Sequence, residues 1–132
     1  MKSINLLFSS IIITSMLSCN KNTPTPDING KWQLSVSYGG IVGILNHPKE
    51  NGTYYLFKDH SYESYRNAEL EKKGQYRVVN SVNKEFGQPE KVVLFDGEEF
   101  DDSHKCTVDI EGGTLAFSVV MGQRMTNVFK RQ

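Results

Sequence analysis

Lys105-Cys106-Thr107-Val108-Asp109-Ile110, then Glu111-Gly112-Gly113, then Thr114-Leu115-Ala116-Phe117-Ser118-Val119-Val120: two runs that alternate apolar and polar residues flank a glycine-rich turn. That is the pattern of a β-hairpin, in which successive side chains point to opposite faces. Period two puts Cys106, Val108 and Ile110 on one face, and likewise Leu115, Phe117 and Val119. Downstream, Thr126 to Lys130 reads as one more strand. Upstream, Lys91 to Phe95 is a strand stopped by the turn pair Asp96-Gly97, and Gln75 to Val79 is another, opened by Gly74. Tyr54-Tyr55-Leu56-Phe57 and Tyr62-Glu63-Ser64-Tyr65 form a second hairpin about Lys58 to Ser61. At the start, Trp32, Leu34, Val36 and Tyr38 alternate with Lys31, Gln33, Ser35 and Ser37. The charged stretch Asn67 to Lys73 reads as loop. The expected fold is all-β, an antiparallel meander of eight short strands, and closure into a barrel removes the exposed edges of such a sheet.

The chain has 132 residues, the length of one domain, with 15 basic and 15 acidic residues. So balanced a charge gives no field for nucleic acid, and none is expected as a partner. Residues 1–18 read as a signal peptide: Lys2 is a short basic start, and the apolar stretch to Leu17 falls short of the roughly 20 residues a membrane helix needs. Met16-Leu17-Ser18-Cys19 resembles the lipobox of bacterial lipoproteins, with Ser18 as the small residue before the acceptor Cys19. The resemblance implies cleavage before Cys19 and two or three lipid chains on that residue, a diacylglyceryl group and a palmitate-type acyl chain, a stable membrane anchor. Ordinary secretion after Ser18, with Cys19 a free thiol, is the alternative. Residues 19–27, polar and with two prolines, read as a tether, leaving residues 28–132 as the domain. Cys106 is then the domain's one cysteine, so no disulfide is expected within it. The expected location is the cell envelope, on the periplasmic side or the surface of the outer membrane. Asn20, where inner-membrane retention is associated with aspartate, leans toward the outer membrane.

Gly30-Lys31-Trp32, at the start of the first strand after a polar tether, resembles the Gly-x-Trp opening of lipocalins and of lipocalin-like domains in bacterial lipoproteins. The resemblance implies a lipocalin-like barrel closed at one end by Trp32, with Lys130 or Arg131 of the last strand lying over the indole. It extends loosely over residues 28–131. The chain is shorter than a full lipocalin and lacks the helix that family carries near its end. A small apolar or amphipathic ligand is the implied cargo, and the candidate contacts are Trp32, Leu34, Val36, Tyr38 and Phe117. Core packing explains the same alternation equally well, because period two fixes a shared face and not what that face meets.

No Gly-x-Ser-x-Gly elbow occurs, and His47, His60 and His104 stand far apart with no partner at metal-ligand spacing, so neither an enzyme nor a resident metal or cofactor is expected. Cys106 reads as a buried, inert thiol. Asp96-Gly97-Glu98-Glu99-Phe100-Asp101-Asp102 carries five carboxylates and reads as a solvated loop, with weak divalent-cation binding as the alternative. Tyr38 to Leu45 holds three glycines among aliphatic residues and reads as a rim loop, either a plug or a flap. Two functions follow: a membrane-anchored module that binds a small ligand, or a structural or protein-interaction module with a filled core.

Overall fold

Nine antiparallel strands and one short 3-10 turn account for the domain in the computed structural model, which describes residues 27–132. The strands are β1 (Gly30–Gly39), β2 (Gly43–Asn46), β3 (Tyr54–Lys58), β4 (Ser61–Arg66), β5 (Glu69–Val82), β6 (Pro89–Phe95), β7 (Cys106–Glu111), β8 (Thr114–Met121) and β9 (Gln123–Arg131). Each of the strands from β3 onward pairs with the next, and β9 returns to pair with β1, from Trp32 opposite Arg131 to Gly39 opposite Met125. The sheet is therefore an eight-stranded closed barrel with β2 as one extra strand. β2 pairs with Val36 to Gly39 of β1, on the edge where β3 pairs with Gly30 to Gln33.

Two stretches depart from the expected layout. Asn67 to Lys73 is not a loop: a tight turn at Asn67 and Ala68, both at positive φ, leads straight into β5, which runs 14 residues. The alternation is hidden there because the first residues of β5 are exposed, so the sequence has no buried face to announce. Tyr38 to Leu45 is not a plain loop either, but a hairpin whose tip is the 3-10 turn Gly40–Val42 and whose return strand is β2.

Both ends of the barrel follow from the up-and-down chain path. The chain enters at one end, the base, where the β3–β4, β5–β6 and β7–β8 turns also lie; the mouth is at the other end. The base is closed by Trp32, fully buried, whose indole N–H donates to the Ile28 carbonyl at 2.7 Å. Arg131, rather than Lys130, supplies the expected cation, 4.2 Å from the indole centroid, while its guanidinium donates to the Asn29 and Asp27 carbonyls. Gly30 explains the glycine of Gly-x-Trp: its φ of 126° disfavours other residues, and a Cβ there would press on the Arg131 guanidinium at 3.0 Å.

On the outer wall, Val92 and Leu94 are buried although they alternate with the core residue Val93. The loop after β6 accounts for this. It is tied down by Arg77 donating to the Glu98 carbonyl, by Lys105 bonded to Glu90 and Asp102, and by Lys84 paired with Asp102 at 2.8 Å. Those ties bracket the two outward-pointing residues, and the loop folds back over them. The five-carboxylate run is thus wall cover: Asp96 and Asp102 hold protein partners, as does Asp101 with His104, and among the described residues no three His, Cys, Asp or Glu side chains converge as a metal site.

Candidate binding site at the barrel mouth

Whether the barrel is hollow depends on what its inward-facing residues are. Tyr55 and Phe57 of β3, Tyr62 of β4, Tyr76 of β5, Phe95 of β6, Phe117 of β8 and Phe129 of β9 all belong to the core cluster. Tyr55 is the hub, with ring centroids at 5.4 Å from Phe57, 5.5 Å from Phe117 and 5.4 Å from Phe129, the last two edge-on. Edge-to-face contacts of this kind pack rings without leaving gaps. The middle of the barrel is filled by aromatic side chains, as small barrels commonly are.

Above this layer, toward the mouth, the lining turns polar. A cavity of about 370 Å³ is bounded by Leu34, Thr53, Tyr55, Ser64, Tyr65, Arg66, Asn67, Glu71, Asn127 and Phe129. Strand register builds it. Tyr55 faces Ser64 across the β3–β4 pair and Trp32 across the β1–β3 pair, so both Tyr55 and Ser64 belong to the inner face. A bulge in β5 leaves Glu71 without a partner, between Leu70 opposite Tyr65 and Lys72 opposite Ser64. Bulges re-aim side chains in this way, and Glu71 accepts an ion pair from Arg66 at 3.3 Å on the rim.

The hydrogen-bond account of this mouth is uneven. Ser37 donates its hydroxyl proton to Asn127 Oδ1 at 2.7 Å, and with that proton committed it accepts from His47 Nε2–H at 2.9 Å. The Ser64 and Tyr55 hydroxyls bond to no other described residue, and their oxygens are open to water rather than buried. Burial pushes the Tyr55 phenol above its usual range, with nearby Cys106 and Glu71 adding to the rise and Arg66 opposing it, so the hydroxyl keeps its proton at neutral pH. Protonated, it can both donate and accept.

Of the residues expected to meet a ligand, the barrel brings together only some. Leu34 lines the mouth cavity, Phe117 lies in the ring layer and Trp32 seals the base. Val36 and Tyr38 do not share their face. A β-bulge between Leu34 and Val36 shifts the register by one, so Ser37 rather than Val36 falls on the inner side, opposite Asn127, and Tyr38 is 42% exposed. Cys106 is half-buried and its thiol is pushed up to about 12, mainly by burial, which fits an inert thiol. The three histidines remain apart, His47 on Ser37, His104 on Asp101, and His60 exposed in the β3–β4 turn. Cys19 lies outside the described residues.

Tyr55, Ser64, Glu71 and Asn127 escaped the reading of the sequence. One signal was present: Ser64 is a small polar residue on the face that its strand otherwise gives to Tyr62. Glu71 left none, since only the pairing of β4 with β5 creates its bulge. The chain matches no protein-family model, no curated protein and no solved structure, so its own geometry carries the functional argument.

Proposed function

We propose that the chain is a lipid-anchored protein of the bacterial cell envelope whose barrel binds a small molecule at its mouth and performs no chemistry on it. The observation that carries this reading is a cavity above a solid aromatic floor, onto which the Ser64 and Tyr55 hydroxyls open with no partner among the described residues. Water reaches both oxygens, so a bound polar group replaces water on them, whereas an apolar group would leave them unbonded. An apolar ligand deep inside the barrel would have to displace Tyr55, Phe117 and Phe129, whereas the mouth needs no such rearrangement. The anchoring half of the proposal rests on Met16-Leu17-Ser18-Cys19. It suits the fold, because the chain enters at the base and β1 climbs ~30 Å to the other end, so the entry of the chain and the mouth are at opposite ends of the barrel.

Native mass spectrometry of the detergent-extracted protein tests the binding, and palmitate labelling tests the anchor. A small mass that co-purifies and leaves on denaturation is expected, reduced when Ser64→Trp fills the cavity; a bare protein mass would count against the binding role. Labelling should vanish in Cys19→Ala, and label that persists there would remove the anchor.

A second reading, a protein-interaction module, is favoured by β2. Among the described residues its outer edge has no strand partner, and the hairpin carries Ile41 at 101% and Ile44 at 66% exposure. An unpaired apolar edge suits an extended segment of another envelope protein, added as a further strand. A photo-crosslinker at Ile44 that yields one discrete adduct, abolished by proline at Leu45, would favour it, and scattered or absent adducts would not.

A further inference from the structure

We infer that the mouth takes a neutral sugar of about one pyranose ring, an inference that rests on the mouth being a binding site. Three properties of the cavity select this chemistry. The first is the kind of hydrogen-bonding group. Tyr55, Ser64 and Thr53 offer hydroxyls, and Asn127, whose carbonyl is taken by Ser37, retains its amide N–H groups. Hydroxyls both donate and accept, so they are best satisfied by a ligand that does the same. An aliphatic ligand would cover Ser64 and Tyr55 without bonding them, and the desolvation cost would count against it.

The second property is charge. Arg66 and Glu71 are the charged groups on this cavity, and they are paired with each other at 3.3 Å, which leaves no net field for an anion or a cation. Glu71 can still accept from ligand hydroxyls through its remaining lone pairs. The third is the apolar part of the wall, formed by Leu34 and Phe129, the Tyr65 ring being turned outward onto Tyr54. A pyranose presents C–H groups on its face and hydroxyls around its edge, and so complements an apolar wall beside a ring of hydroxyls. A volume of about 370 Å³ sits at the small end of ligand sites, which span roughly 300–1,000 Å³, and holds one ring rather than a long chain.

The experiment is calorimetric titration of the full chain, held in a detergent without a sugar headgroup, with glucose, galactose and mannose, their methyl glycosides, and decanoate as the apolar comparison. A saturable one-to-one heat is expected for at least one hexose, weakened about fivefold or more by Ser64→Ala and by Tyr55→Phe, the loss of one hydrogen bond. Thermal unfolding of both variants verifies that each still folds, and Ser64→Ala carries the test if Tyr55→Phe does not. A free sugar and the terminal residue of a glycan share this chemistry. Binding that persists with the methyl glycoside identifies the second, binding confined to the free hexose the first, and either supports the inference. Saturation by decanoate with no response to any sugar overturns the sugar while leaving the mouth as a binding site. Sugar binding unaffected by both variants overturns the location. No response to any probe, together with a bare protein mass, overturns both and leaves water in the mouth.

Discussion

Asp96 belongs to the acidic run of the sequence, yet its carboxylate is committed to the barrel. It accepts the Tyr62 hydroxyl at 2.6 Å and the Gln75 N–H at 3.1 Å, in space left by Gly74, where any Cβ would collide with that carboxylate. Gly74→Ala should therefore cost about 1–3 kcal/mol, the range for forced overpacking, read as a lowered urea midpoint at unchanged slope. Burial first, and the bond to Asp96 second, hold the Tyr62 phenol well above its usual value of 10.0. The sign follows from linkage. A raised folded-state pKa means that this contribution is whole below pH ~10, the unfolded value, and is lost as pH rises above it, because the unfolded state gives up the proton first. Stability should fall from about pH 10 upward, and Tyr62→Phe should flatten that fall while lowering stability at neutral pH. An unchanged alkaline slope in denaturant titrations at pH 8 to 11 would rule Tyr62 out as the cause.

Among the elements, β1 and β5 act through their irregularities. The bulge in β1 at Ser35 lets Trp32 and Leu34 face inward while Ser37, and not Val36, points to the mouth. Deleting Ser35 should remove the bulge and leave every other side chain on its face, since Leu34 stays opposite Phe129 and Val36 opposite Val128. The expected loss is about 1 kcal/mol, for the backbone bond that the Ser35 carbonyl accepts from the His47 N–H at 2.8 Å. A loss above about 3 kcal/mol in denaturant titration, the cost of turning large side chains between core and water, would show that the bulge itself holds the strand in register. The bulge in β5 does the same for function, turning Glu71 onto the rim beside Arg66. Neither bulge carries a mark in the sequence, because an extra residue in a strand is defined only by the partner strand that fails to match it. The hairpins are the opposite case. Glu111-Gly112-Gly113 and Asp59-His60 are local turns between alternating runs, and both occur where their composition puts them.

At the scale of the whole molecule, one core holds the barrel together: Trp32 at the base, the rings around Tyr55 in the middle, and β1 joined to β9 to close the sheet. Unfolding should then be a single transition, with the fluorescence of Trp32 and the far-ultraviolet circular dichroism of the strands changing at one midpoint; separated midpoints would mean that β2 or the loop after β6 melts alone. Local alternation and turn chemistry were enough to read the all-β class and the antiparallel meander, because these depend on neighbours along the chain; closure followed from the exposed edges of such a sheet, and Arg131 entered as one of two cations for the indole only through the Gly-x-Trp resemblance. Tertiary structure alone decided that the interior is solid, that Val36 and Tyr38 turn away from it, that the acidic run covers the wall over Val92 and Leu94, and that Ser64, Tyr55, Glu71 and Asn127 meet at the mouth. Each of these depends on which residues distant strands set opposite one another, and register between strands is a property of the closed sheet that no single run of residues contains.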